Sequence, residues 1–147
     1  MEFEKRAKFT RWCGRLIAAV ILVLCVTLRD FLSWYHSFRD LSWQAATAIM
    51  LGYYLCVPGV LYALWSMDRL LGRCIEGNVF LGANVRAIRG IRWCCGYVSL
   101  ISLVCGVFYP PLLFLWIIMA FLALTVSVLE RVMEAAVEIR EENDLTV

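Results

Sequence analysis

A chain of 147 residues has the length of one ordinary domain, yet 63% of it is hydrophobic and only 18% is charged, against a soluble average of about half apolar and about a quarter charged. That balance excludes an ordinary water-soluble globule. A net charge of +2 gives no ground for expecting direct contact with nucleic acid.

The charges fall in blocks. Leu16 to Leu28, Leu41 to Met67 and Trp93 to Leu129 contain no Asp, Glu, Lys or Arg. A bilayer core of about 30 Å takes roughly 20 helical residues to cross. The second block meets that requirement once, and the third meets it twice if the chain folds back at Tyr109-Pro110-Pro111. The sequence therefore predicts an all-α membrane protein with four transmembrane helices, over about 12–32, 43–67, 92–108 and 111–131, followed by an acidic tail over 132–147.

The first span is the weakest of the four, because the 13 uncharged residues Leu16 to Leu28 reach only about 20 Å as a helix. Its flanks complete it, since Arg15 and Arg29 can snorkel outward while Trp12, Cys13, Gly14, Phe31 and Leu32 lengthen the apolar run. A basic start and a short apolar segment also describe a signal peptide, but no small-x-small cleavage site follows Leu28. The segment is expected to stay attached as an anchor.

The second span carries Pro58-Gly59 near its middle, where a proline frees a backbone carbonyl and kinks a helix; a plain bend is the commoner outcome and a binding site the rarer one. Beyond it, Gly77-Asn78 signals a turn, and Val85, Ile88 and Ile91 then recur on a helical period beside Arg86, Arg89 and Arg92. That pattern predicts a short amphipathic inner helix at the headgroup surface before the third span. Pro111 suits the first turn of the fourth helix, where a missing amide donor costs little, so spans three and four form a hairpin. The fourth helix extends past the membrane, with Glu130, Glu134, Glu138 and Glu142 four apart on one face. Such a like-charge row calls for a facing cation, from either the basic first segment (Lys5, Arg6, Lys8 and Arg11) or the Arg86 to Arg92 stripe.

Lys and Arg number five before the first span, two in the first loop, five in the second loop and two in the tail, so 12 of 14 lie on one side. Basic segments resist translocation, which places both termini and the Asp68 to Arg92 loop on the cytoplasmic side of the cell (plasma) membrane. Trp34, Tyr35, Trp43 and Tyr109 mark the outer headgroup level, and Trp12, Trp65 and Trp93 the inner one.

Two of these cytoplasmic segments carry a resemblance. Gly77 to Arg92 resembles the pattern G-x-V-F-x-x-x-N-V-R-x-L-R, and Glu141 to Val147 resembles the ending E-E-N-D-L-T-I, of the bacterial membrane-protein family DUF2975, a domain of unknown function. Phe80, Asn84, Arg86 and Arg89 match the first pattern, and Asn143, Asp144, Leu145 and Thr146 match the second. Within the first stretch Leu81 and Ala83 depart from the family, whose members often carry a hydroxyl and an acidic residue there, able to cap a helix. The resemblance implies a four-span protein without established activity, and association with small helix-turn-helix regulators.

Chemistry has little to work with. One histidine, His36, cannot build a metal site alone. The seven cysteines sit mostly in apolar runs without C-x-x-C spacing, as packing residues do; adjacent Cys94 and Cys95 project from a helix about 100° apart. No catalytic, cofactor or metal residue is expected. A small transporter or channel subunit is the alternative, but it needs ionisable groups inside the spans, and these spans have only single hydroxyls. The sequence thus points to a non-enzymatic sensor, anchor or regulatory partner. Its partner or lipid contacts are expected at Phe80, Asn84, Arg86, Arg89, Arg92, Glu134, Glu138, Asn143, Asp144 and Leu145. The expected partners are the bilayer, a cytoplasmic protein such as a transcription regulator, and a second copy of the chain.

The charge distribution generates a topology prediction. Reporter fusions after Val147 and within Asp68 to Arg92 are expected to report cytoplasm, and one within Arg29 to Leu41 the outside; an outside signal from the tail overturns the four-span arrangement.

Overall fold

The computed structural model describes residues 2–38, 40, 42–77, 79 and 82–146. Four long helices make up the described chain: α1 (Glu2–Phe38), α2 (Trp43–Ile75), α3 (Gly82–Gly106) and α4 (Leu112–Leu145). Each is long and apolar enough to cross a membrane.

Local chemistry sets their ends. Ser42 caps α2, its hydroxyl accepting from the Ala45 amide at 3.3 Å, which satisfies one of the donors orphaned at a helix start. Gly77 follows the last turn of α2 with φ of +81°, a left-handed conformation that stops a helix and that glycine adopts without steric cost. Between α3 and α4 the turn is closed by i→i+3 bonds, Leu112 N to Tyr109 O and Leu113 N to Pro110 O, both 3.0 Å. Pro111 stands immediately before α4, where its missing N–H removes nothing the helix would use.

The helices pack in chain order: α1 on α2, α2 on α3, α3 most extensively on α4. No other pair packs backbone against backbone among the described residues. The bundle is therefore an open row rather than a closed square. Both termini and the α2–α3 connection lie at one end, called here the termini end.

Burial runs opposite to that of a soluble protein. The apolar window of α4 has no buried residue, and Phe114, Phe121 and Leu124 project outward. The less apolar α3 holds most of the buried positions, among them Asn84, Ser99 and Ser102. Apolar side chains outside and hydroxyls inside are the arrangement expected where lipid is the solvent, because a hydroxyl facing hydrocarbon lacks a partner.

Small residues bring α2 and α3 close. A methyl group added at Gly52 would lie 3.0 Å from Cys105 Sγ, one at Gly59 would lie 3.1 Å from the Tyr97 ring, and one at Gly90 would lie 3.1 Å from Tyr62. The helix α2 continues through Pro58. One residue from the carbonyl that Pro58 leaves without its amide donor, Tyr97 Oη donates to Leu55 O at 3.1 Å, so a side chain from α3 braces the Pro58-Gly59 segment. On the other side α2 holds α1 through two phenols, Tyr53 Oη to Ile21 O at 2.8 Å and Tyr54 Oη to Cys25 O at 2.9 Å.

The separate inner helix is not observed. Residues 83–91 are helical, but as the opening turns of α3, continuous with the third span. Val85 and Ile88 are buried within the protein, so the apolar side of the stripe meets neighbouring helices rather than lipid, and nothing there breaks the helix.

The Gly59 notch can be tested by filling it. Gly59→Leu is expected to lower the thermal midpoint of the purified protein, an overpacking cost of about 1–3 kcal/mol, and Tyr97→Ala in that background should recover part of the loss. An unchanged midpoint in Gly59→Leu would show that the notch is not a packing site.

Candidate functional site: arginine clasps at the termini end

The opening turns of α3 and the later turns of α4 lie side by side. Arg89 and Arg92, three apart, share a face of α3; Glu130 and Glu134, four apart, share a face of α4. Arg89 Nε donates to Glu130 Oε1 at 2.7 Å and its Nη2 to Glu134 Oε1 at 2.6 Å, so one guanidinium bridges two carboxylates. Arg92 Nη1 lies 2.9 Å from Glu130 Oε2. That contact is an ion pair by distance, while Oε2, enclosed by protein, accepts no hydrogen bond. The Glu130 side chain is only 4% exposed. Two guanidinium groups face this enclosed side chain, the pairing that a buried acidic group requires. Hydrogen bonds to Glu130, then to Glu134, hold the Arg89 guanidinium still more firmly protonated than usual.

A second clasp joins α1 to α2. Arg11 Nε and Nη2 reach Asp68 Oδ1 and Oδ2 at 2.9 and 3.2 Å, a forked geometry suited to a carboxylate. Arg15 Nη2 adds a contact at 3.4 Å. The Arg11 guanidinium passes beside Gly72, at ordinary contact distance from where a methyl group there would lie, 3.6 Å. The Arg11 hydrogen bond, and then Arg15, hold the Asp68 carboxyl below the usual carboxylate range.

Between the clasps, Arg73 of α2 donates to Ala83 O at 3.1 Å and approaches Asn84 Oδ1 at 3.5 Å, while Asn84 Nδ2 donates to Val79 O at 2.7 Å. Each neighbouring pair of helices is thus tied at this end by an arginine.

The anticipated residues separate into groups. Arg89, Arg92 and Glu134 meet at the α3–α4 clasp. Asn84 is fully buried and offers no surface to a partner; it ties the loop onto α3. Arg86 is exposed, and neither it nor Glu138 forms an ion pair among the described residues. Asn143, Asp144 and Leu145 are exposed at the end of α4. Phe80 lies outside the described residues. The basic first segment does not face the acidic row: Arg11 turns to Asp68, while Arg6 and Lys8 pair with Glu2 and Glu4 of their own helix. α1 and α4 do not pack together, so that pairing has no route. Sequence reasoning missed Asp68, whose only signal was an acid at the very end of an uncharged run.

Inside the row, all four helices contribute to a cavity of about 380 Å³ lined by Ile21, Tyr53, Val98, Ser102, Leu115 and neighbouring side chains. It holds no charged lining residue. No group of three or more His, Cys, Asp or Glu is placed to hold a metal among the described residues.

Comparison with known proteins places the chain among membrane proteins. A family model, DUF2975, described as a protein of unknown function, matches residues 10–147. The uncharacterised membrane protein YoaS of Bacillus subtilis (strain 168) is 26% identical over 147 aligned residues, spanning 90% of this chain and 91% of that protein. No solved structure matches.

The depressed Asp68 carboxyl gives the α1–α2 clasp a pH window. Its contribution is complete above the ordinary value of 3.8 and is lost as pH falls through the lower folded value. Asp68→Asn is therefore expected to lower the thermal midpoint at neutral pH and to shrink the further drop below about pH 4. Identical midpoints for parent and variant across that range would show that the clasp does not stabilise the fold.

Proposed function

The chain belongs to the DUF2975 family of proteins of unknown function, and we propose that it works without catalysis, as a plasma-membrane anchor or sensor that presents a helix to a cytoplasmic partner. The observation that carries this reading is the Glu130 clasp. It fastens α4 to α3 near the membrane surface, and beyond it α4 continues unbroken to Leu145, a projection of roughly 22 Å at 1.5 Å per residue. Along that projection Glu138, Glu141, Glu142 and Asp144 are exposed and acidic, and Leu145 is 87% exposed at the tip. An acidic helix with an apolar end suits a partner with a basic, partly apolar surface, such as a small helix-turn-helix regulator. The topology with both termini in the cytoplasm would put the projection where such a partner is found. Because α4 is one continuous helix, the signal is a tilt or release of the whole helix rather than folding of a separate tail. The apolar cavity lends no support to a transporter, which needs polar groups to hold its cargo.

The test is co-purification from native membranes, comparing the full chain, a chain ending at Arg140, Arg89→Glu, and Arg89→Glu combined with Glu134→Arg. A partner recovered with the parent should be lost with the truncated chain, reduced with Arg89→Glu and partly regained with the double variant. If Arg89→Glu inserts correctly and recovers the partner as well as the parent does, the clasp has no part in recruitment.

A further inference from the structure

Not all arginines at the termini end are engaged by carboxylates. Arg69 and Arg73 of α2 and Arg86 of α3 line one cavity of about 200 Å³, together with Ser66, Tyr62 and Trp65. Among the described residues none of the three arginines has a carboxylate within ion-pair distance. Arg73 is occupied with Ala83 O and Asn84, and Arg69 lies over the Trp65 ring at 4.5 Å, an arrangement that orients a guanidinium without neutralising it. Arg86 has no partner at all among the described residues, whereas Arg89, one turn on, is engaged by two carboxylates. The Ser66 residue is only 4% exposed, yet it lines this cavity and its hydroxyl bonds to no described residue. Ser66, Arg69 and Arg86 thus bring hydrogen-bond donors to one cavity that no carboxylate lines.

We propose that the cavity formed by Ser66, Arg69, Arg73 and Arg86 binds a phosphate group at the membrane surface. Guanidinium forks match phosphate oxygens, and a serine hydroxyl adds a neutral donor to a tetrahedral oxyanion. Trp65 and Tyr62 set the depth, because such rings settle at the headgroup level, where phosphodiesters are densest. The first turns of α3 flank the cavity through Ala83, Arg86 and Ala87. The phosphate could belong to an anionic lipid or arrive free from solution, and the two sources are separable.

Two measurements on the full-length protein distinguish them. Native mass spectrometry counts phosphatidylglycerol or phosphatidic acid retained after exchange from phosphatidylcholine. Inorganic phosphate is titrated into protein held in phosphatidylcholine-only nanodiscs, with tryptophan fluorescence as the signal and acetate at equal ionic strength as the blank. Arg69→Gln/Arg86→Gln is expected to weaken binding by about tenfold or more, since each charge-assisted contact is worth a factor of that order. Ser66→Ala, with charge unchanged, should weaken it about threefold, the low end for a neutral hydrogen bond. Lys5→Gln/Arg6→Gln, which removes the same charge from α1, should change little. Retention of the lipid alone identifies a headgroup site; a saturable phosphate signal identifies a free anion. If neither binding saturates, or if the α1 control loses as much as Arg69→Gln/Arg86→Gln, only diffuse electrostatics is present and the site does not exist.

Discussion

In hydrocarbon, burying leucine against leucine gains little over leaving it in lipid, so the force that assembles soluble helices is missing and polar contacts with close packing must replace it. This protein meets that constraint with one arginine for each helix pair. Arg11 joins α1 to α2 through Asp68, Arg73 joins α2 to α3 through Ala83 O, and Arg89 joins α3 to α4 through Glu130 and Glu134. All three lie at the termini end, where the long arginine stem can remain in an apolar layer while its head meets water or a carboxylate. The opposite end relies on backbone geometry. There the α3–α4 turn is so tight that a methyl group on Gly106 would sit 2.7 Å from Leu113.

The arrangement makes α3 the axis of the molecule although it is not the most apolar helix. Its hydroxyls and Asn84 are enclosed, and α2 approaches it over Gly52, Gly59 and Gly90. α4 has no fully buried residue in its apolar window and packs its half-buried face, Leu113, Trp116 and Ala120 among it, on α3. Glu130 adds ion pairs to that packing. A buried carboxylate whose cations are removed is destabilising by on the order of 3–5 kcal/mol, so the position of α4 is tied to the state of two guanidinium groups.

How much of this was legible follows from what each signal encodes. Uncharged runs such as Leu41 to Met67 and Trp93 to Leu129 report the solvent of a segment directly, and they became helices long enough to span. The Pro110-Pro111 turn was legible because proline and chain length leave few alternatives. Four-residue spacing showed that Glu130 and Glu134 share a face and that a cation should stand opposite, but spacing cannot say which of two basic segments stands there. The helical period of Val85, Ile88 and Ile91 was read correctly while its surroundings were not, since a buried apolar face and a lipid-facing one have the same pattern. Asn84 shows the same ambiguity, because a family-like asparagine reads alike whether it meets a partner or closes a loop. Arg11 with Asp68 joins positions 57 apart, and only the packing of α1 on α2 brings them together.

The open row gives the two acid-base clasps separate consequences. In a closed bundle α1 would touch α4, and loosening either clasp would disturb both contacts. Here the backbone of α1 approaches only that of α2, and the backbone of α4 only that of α3, so the Arg11–Asp68 clasp acts directly on the α1–α2 pair, beside the Tyr53 and Tyr54 bonds that also hold α1. The Glu130 clasp acts directly on the α3–α4 pair. Asp68 is paired in a partly exposed setting, whereas Glu130 is enclosed between two arginines whose outer atoms reach the surface. An anion or a partner carboxylate competing for Arg89 and Arg92 would therefore act on the α3–α4 pair. Both clasps have guanidinium atoms at the surface, and the one on Glu130 fastens the helix that carries the acidic projection.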